Sequence, residues 1–205
     1  MSFDRPGKNI QEGTYPPDKI EAFREIKTPE DLLAFMRANI RYGFVGKKDR
    51  QIYSPEFAGW GQGESPEQEL QAPAELLSSG YGTCWEQTEL ERNWFRENNF
   101  DFKTFLLLFG PEISQKNPAH SFLVFKKDNK WCWFENTLDI HNGLHEFASL
   151  EDLIENVKTI VISNAIKNGA TEDDIRQFKL IEYDVPAHGL SQQDFIAQVT
   201  EGKSG

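Results

Sequence analysis

The sequence predicts an α+β fold in which a helix packs on an antiparallel β-sheet. Three observations lead there. Residues 102–109, 119–126 and 130–136 hold three successive runs, "FKTFLLLF", "HSFLVFK" and "KWCWFEN", dense in aromatic and aliphatic residues and separated by turn material. The last two runs flank Asp128 and Asn129, a pair suited to a tight hairpin turn. Upstream, "TPEDLLAFMRANI" and "CWEQTELERNWF" space their apolar residues as helices do.

Taken in order, residues 1–18 are polar and rich in Pro and Gly, and are expected to be a flexible N-terminal arm. Residues 19–200 are expected to be one domain, and 201–205 a frayed tail. The first helix starts with Thr28 as cap and Pro29 at its first position, and carries Leu32, Leu33, Phe35, Met36 and Ile40 at helical spacing. Residues 43–70, punctuated by Gly and Pro, read as a long loop holding Tyr53, Phe57 and Trp60. A short helix follows around 72–78, stopped by Gly80. After Thr83 comes the helix of Cys84, with Glu86, Glu89, Arg92 and Arg96 expected on its wetter face. Beyond the three strands, "SLEDLIENVKTIVISNAI" predicts a helix capped by Ser149 and followed by a strand or a second buried helix. "FKLIEYDVP" predicts a further strand, and "SQQDFIAQV" a closing helix capped by Ser191.

The totals narrow the function classes. With 205 residues the chain can bury a core of its own, and sixteen Phe with five Trp disfavour disorder. No stretch approaches the roughly 20 apolar residues of a membrane-spanning helix, and "MSFDRPGKNIQEGTYPP" has no basic flank leading into an apolar signal segment. A soluble cytoplasmic protein is expected, with no membrane partner and with Cys84 and Cys132 as free thiols. The net charge of −11 and the scattered Lys and Arg argue against nucleic acid.

Cys84 carries the chemistry. A thiol is a nucleophile as thiolate, a form favoured by a helix N-terminus and a nearby imidazolium. The Cys84 backbone N–H also stands where it can meet a developing oxyanion. Gly80 and Gly82 let the chain turn tightly before it. His120, which opens a strand where a loop ends, is the candidate base. The next strand ends in Glu135 and Asn136, and alternation lets one of them face His120. Glu135 is the expected partner and Asn136 the alternative. Trp60 and Trp85 flank the thiol in sequence and are candidate walls of an acyl-binding cleft. Cys132, between Trp131 and Trp133 in mid-strand, reads as a buried apolar residue. His141 and His145 stand four apart, but Asn142 and Gly143 between them argue for a turn, so neither metal nor cofactor is expected.

"GYGTC" opening a helix, a His opening a strand and "W-x-W-F-E" closing the next together resemble the transglutaminase-like superfamily, a papain-like branch of thiol enzymes, and small bacterial members of it in particular. The likeness covers about residues 70–140, with weaker support from "IRYGF". It implies a papain-like or transglutaminase-like fold with a nucleophile helix on the sheet, Cys84 as nucleophile, His120 as base, and Glu135 at the position where the family carries Asp. The implied enzyme is a thiol hydrolase or acyltransferase acting on a peptide or protein amide through a thioester, with hydrolysis or deamidation favoured over cross-linking. The alternative is a binding module that keeps the fold without the catalysis.

Overall fold

The computed structural model describes residues 17–55, 67–109, 119–167, 170–176 and 178–201. Nearly all of the expected N-terminal arm, most of the expected tail, Phe57, Trp60 and the turn "GPEISQKNP" lie outside the described residues.

Two helices open the fold, α1 (Pro17–Arg24) and α2 (Pro29–Asn39). Thr28 caps α2, its hydroxyl oxygen accepting from the Asp31 N–H at 3.1 Å. A two-residue strand, β1 (Arg41–Tyr42), follows, and the stretch read as a loop contains two more, β2 (Phe44–Val45) and β3 (Ile52–Tyr53). Phe44 and Tyr53 stack across the β2–β3 pair with ring centroids 5.2 Å apart. Next come α3 (Pro73–Ser79), β4 (Tyr81–Gly82) and α4 (Cys84–Glu97). Then follow β5 (Phe102–Phe109), β6 (Ala119–Lys127), β7 (Lys130–Glu135), a 3₁₀ turn at Asp139–His141 and β8 (Gly143–Phe147). Helices α5 (Leu150–Lys167) and α6 (Glu172–Arg176), strand β9 (Phe178–Glu182) and helix α7 (Gln192–Glu201) complete the chain.

Strands β5 to β9 form one antiparallel sheet in the order β8-β7-β6-β5-β9. The β6–β7 hairpin turns at Asp128 and Asn129, both in the left-handed region with φ of 52° and 61°, the conformation this turn demands. Alternation along the strands then builds two apolar layers. On one face Leu123, Phe125, Cys132 and Phe134 meet Leu90, Trp94 and Phe95 of α4, backed by α2 and α3. On the other, Phe105, Leu107, Phe122, Val124 and Trp133 meet Leu153, Val157 and Val161 of α5. A third cluster joins Trp85, Leu106 and Leu108 to Phe195, Ile196 and Val199 of α7. Each fully buried side chain of this kind contributes on the order of 2 kcal/mol.

Two expectations need correction. "VKTIVI" does not leave the helix for a strand or a second helix: α5 runs unbroken through it, because Leu153, Val157, Val161 and Ala165 recur every four residues and are all buried. That stripe on a sheet face outweighs the strand preference of the β-branched residues. Nor does α4 have the wet face expected of it. Glu86, Glu89 and Arg92 are buried and only Arg96 of the four is exposed, since chain from residues 67–71 and from around Tyr183 covers that side. Among the described residues no helix is long and apolar enough to cross a membrane.

Candidate active site

Local structure fixes where the thiol stands. Gly80 ends α3 in the left-handed conformation, φ 71°, with its N–H bonded to the Leu76 carbonyl. The chain then runs parallel to β1, pairing Tyr81 with Arg41 and Gly82 with Tyr42. A Cβ on Gly82 would lie 2.6 Å from a methyl of buried Leu76 and 3.1 Å from the Glu86 Cβ, so any larger residue would force the packing here to shift. Helix α4 begins at once. Glu86 folds back so that one carboxylate oxygen accepts from Thr83 N–H (2.8 Å) and Thr83 Oγ1 (2.6 Å), while Gln68 Nε2 donates to the other at 3.0 Å. Burial pushes the Glu86 carboxyl up against these hydrogen bonds. Cys84 occupies the first helical position and is partly exposed. The Cys84 and Trp85 N–H groups belong to the first turn of α4, whose donors have no carbonyl within the helix to bond.

His120 and Glu135 leave neighbouring strands at the same end of the sheet, His120 near the start of β6 and Glu135 at the close of β7. His120 Nε2 lies 2.9 Å from Glu135 Oε2, and both side chains are almost fully buried. The imidazole stacks on Phe122, centroids 5.8 Å apart and 13° from parallel. Its other nitrogen, Nδ1, is not engaged by Glu135 and is left for the Cys84 side chain, which acts on the ring's ionisation. Burial alone would pull the imidazole down. The Glu135 charge, the hydrogen bonds with Cys84 and Glu135 and the Cys84 charge outweigh it and raise His120 to about 10. For Glu135 burial again opposes the charge, but His120 and the backbone N–H groups of Leu138 and Thr137 hold the carboxyl below its ordinary value. Glu135 Oε1 accepts from Thr137 N–H, from Thr137 Oγ1 at 2.8 Å and from Leu138 N–H at 2.8 Å. The carboxylate is thus fully engaged, one oxygen by the imidazole and the other by the turn that follows.

The other candidate residues lie as follows. Asn136 does not approach His120; its Nδ2 donates to Gln87 Oε1 at 2.6 Å. Trp85 is buried, its ring packed edge-on against Phe195 at 5.0 Å, and Trp60 falls outside the described residues. Cys132 is buried in β7, where burial pushes its thiol up. His145 Nε2 bonds the His141 carbonyl at 2.6 Å, so the two rings do not converge. Among the described residues no three His, Cys, Asp or Glu side chains are grouped to hold a metal.

Three neighbours of the site escaped the sequence reading. Tyr42 is 40% exposed, yet burial of its phenol, with the charges of Cys84, Glu86 and Glu135, pushes its ionisation up. Glu91, seven residues after Cys84 on α4, is only 3% exposed. Burial first, then the Glu135 charge, drives its carboxyl well up, against the pull of His120. Gln87, one turn into α4, is buried and bonds the Gly82 carbonyl. The signal for Gln87 and Glu91 was their helical spacing from Cys84; for Tyr42 there was only the short "IRYGF".

Behind this cluster runs a second buried network. Arg92 pairs with Glu89 at 3.1 Å, donates to the Tyr183 carbonyl and to Thr104 Oγ1, and lies over the Tyr183 ring at 4.7 Å. The Tyr183 hydroxyl is shared with Ser121 Oγ at 2.6 Å, next along β6 from His120. Burial outweighs the pull of Arg92 and raises Glu89 to about 7.

In comparisons with protein-family models and with curated proteins, nothing matches this chain.

Proposed function

We propose that this protein is a transglutaminase-like thiol enzyme with a papain-like active site, acting on a peptide or protein amide. The observation that carries the reading is the imidazole of His120, held between the Glu135 carboxylate at 2.9 Å and the Cys84 thiol. A buried acid orients the ring through Nε2 and stabilises its cation, and Nδ1 is left to exchange a proton with sulfur.

In the reaction the Cys84 sulfur, its proton passed to His120 Nδ1, attacks the amide carbonyl carbon, forming a C–S bond. The carbonyl oxygen becomes an oxyanion at the helix start, beside the Cys84 N–H. His120 then gives its proton to the leaving nitrogen as the C–N bond breaks, and a thioester remains. A water molecule gives a proton to His120 and attacks the thioester. The acid leaves, the C–S bond breaks, and sulfur and imidazolium are restored. Hydrolysis or deamidation is favoured over transfer to an amine. The test is release of ammonia or amine from a library of glutamine- and asparagine-containing peptides. Turnover in the wild type that is lost in Cys84→Ala and His120→Ala supports the reading. No turnover across the library, with Cys84 inert toward alkylation, leaves the binding module in its place.

A further inference from the structure

A chain of side-chain amides ties the thiol loop to the acid strand. Gln87 Nε2 donates to the Gly82 carbonyl at 2.8 Å, two residues before Cys84. Gln87 Oε1 accepts from Asn136 Nδ2 at 2.6 Å, one residue after Glu135. The Asn136 backbone carbonyl and Oδ1 both accept from Asn142 Nδ2, at 3.1 and 3.3 Å. Asn142 in turn is gripped by Arg37 of α2, whose Nε donates to Oδ1 and whose Nη2 donates to the main-chain carbonyl.

The chain has a fixed direction. It begins at a peptide carbonyl, which can only accept, and ends at a guanidinium, which can only donate. Each of the three amides between them therefore has one satisfied orientation, and reversing any one breaks a bond at each end. Gln87 is 1% exposed, so water cannot stand in for a lost partner without cost.

We propose that Gln87 and Asn136 are positioning residues that hold the sulfur of Cys84 in register with the His120–Glu135 pair. The proposal rests on the reading of the site given above. The three reactive groups come from separate elements, and the pairing of Gln87 with Asn136 is the side-chain hydrogen bond that joins the helix of the first to the strand end of the third. A brace of this kind sets the thiol-to-imidazole distance without touching substrate, and a displacement of about 1 Å at such a site can cost about 100-fold in rate.

The test is the rate of Cys84 alkylation by iodoacetamide in the full chain, followed by peptide mass mapping across a pH series. Gln87→Glu keeps the shape but sets a carboxylate against the Gly82 carbonyl. Asn136→Ser, at a partly exposed position, shortens the side chain so that its donor no longer reaches Gln87 Oε1, and serves where the first variant fails to fold. Each is expected to slow labelling by about 10- to 100-fold and to move its pH profile onto that of His120→Ala, and the double variant is expected to be no slower than the worse single one. A purely structural role would lower the unfolding temperature and leave the pH profile in place, which overturns the proposal, as does labelling of folded Gln87→Glu or Asn136→Ser at the wild-type rate. If His120→Ala itself labels like the wild type, the reading of the site falls and the brace falls with it.

Discussion

Glu135 reaches His120 with one carboxylate oxygen, at 2.9 Å, while its other oxygen takes three hydrogen bonds from Thr137 and Leu138. The length of the side chain makes both engagements possible. Asp is one methylene shorter and cannot span from the turn to the imidazole. Glu135→Asp is therefore expected to be a poor substitute, with Cys84 alkylation or peptide turnover falling by about 100-fold. Glu135→Gln, which keeps the length and loses the charge, should fall as far. Wild-type rates in Glu135→Asp would show that the turn does not set the reach of the acid.

Stability should carry the mark of the same pair. The folded imidazole is raised from 6.5 to about 10, so the folded state binds a proton that the unfolded chain releases above about 6.5. The contribution is fully present below about 6.5 and is lost as pH rises through about 10. Glu135 has the opposite sign: its lowered value gives stability present above the ordinary carboxylate range and lost as pH falls through the folded value. Urea midpoints for the wild type should decline between pH 6.5 and 10 more steeply than those of His120→Gln. Parallel curves would place a neutral imidazole in the folded protein.

The buried Arg92 should be indispensable to folding rather than to chemistry. It bonds Glu89, Thr104 and the Tyr183 carbonyl in a site closed to solvent. Arg92→Leu takes the cation from buried Glu89, which keeps the Tyr183 hydroxyl at 3.3 Å, and removes a donor from Thr104 Oγ1 and the Tyr183 carbonyl, at an expected cost of about 3–5 kcal/mol. A urea titration checks it, and a change under about 1 kcal/mol would mean the network behaves as a surface ion pair does.

Much of this arrangement is legible in the sequence where residue type and position coincide. Asp128 and Asn129 mark the hairpin because few side chains accept the left-handed backbone there. Cys84, His120 and Glu135 stand out because each sits at or next to the end of an element, beside a loop or a glycine. The burial of Glu86, Glu89 and Arg92 is not legible, because charged residues on a helix normally face water. Their partners Gln68, Thr104 and Tyr183 lie far off along the chain and become visible only in the fold. The brace is hidden for the same reason, since nothing in "CWEQ" or "FENT" announces that Gln87 meets Asn136. The unbroken α5 is hidden by its Ile and Val, whose strand preference yields to a stripe at helical spacing.

The most direct measurement is iodoacetamide labelling of the intact protein at pH 7, with the modified peptides identified by mass spectrometry in the wild type and in His120→Ala. The account predicts one label per chain at Cys84, none at the buried Cys132, and loss of labelling in His120→Ala while the fold is kept. An inert Cys84, or equal labelling with and without the imidazole, would contradict it.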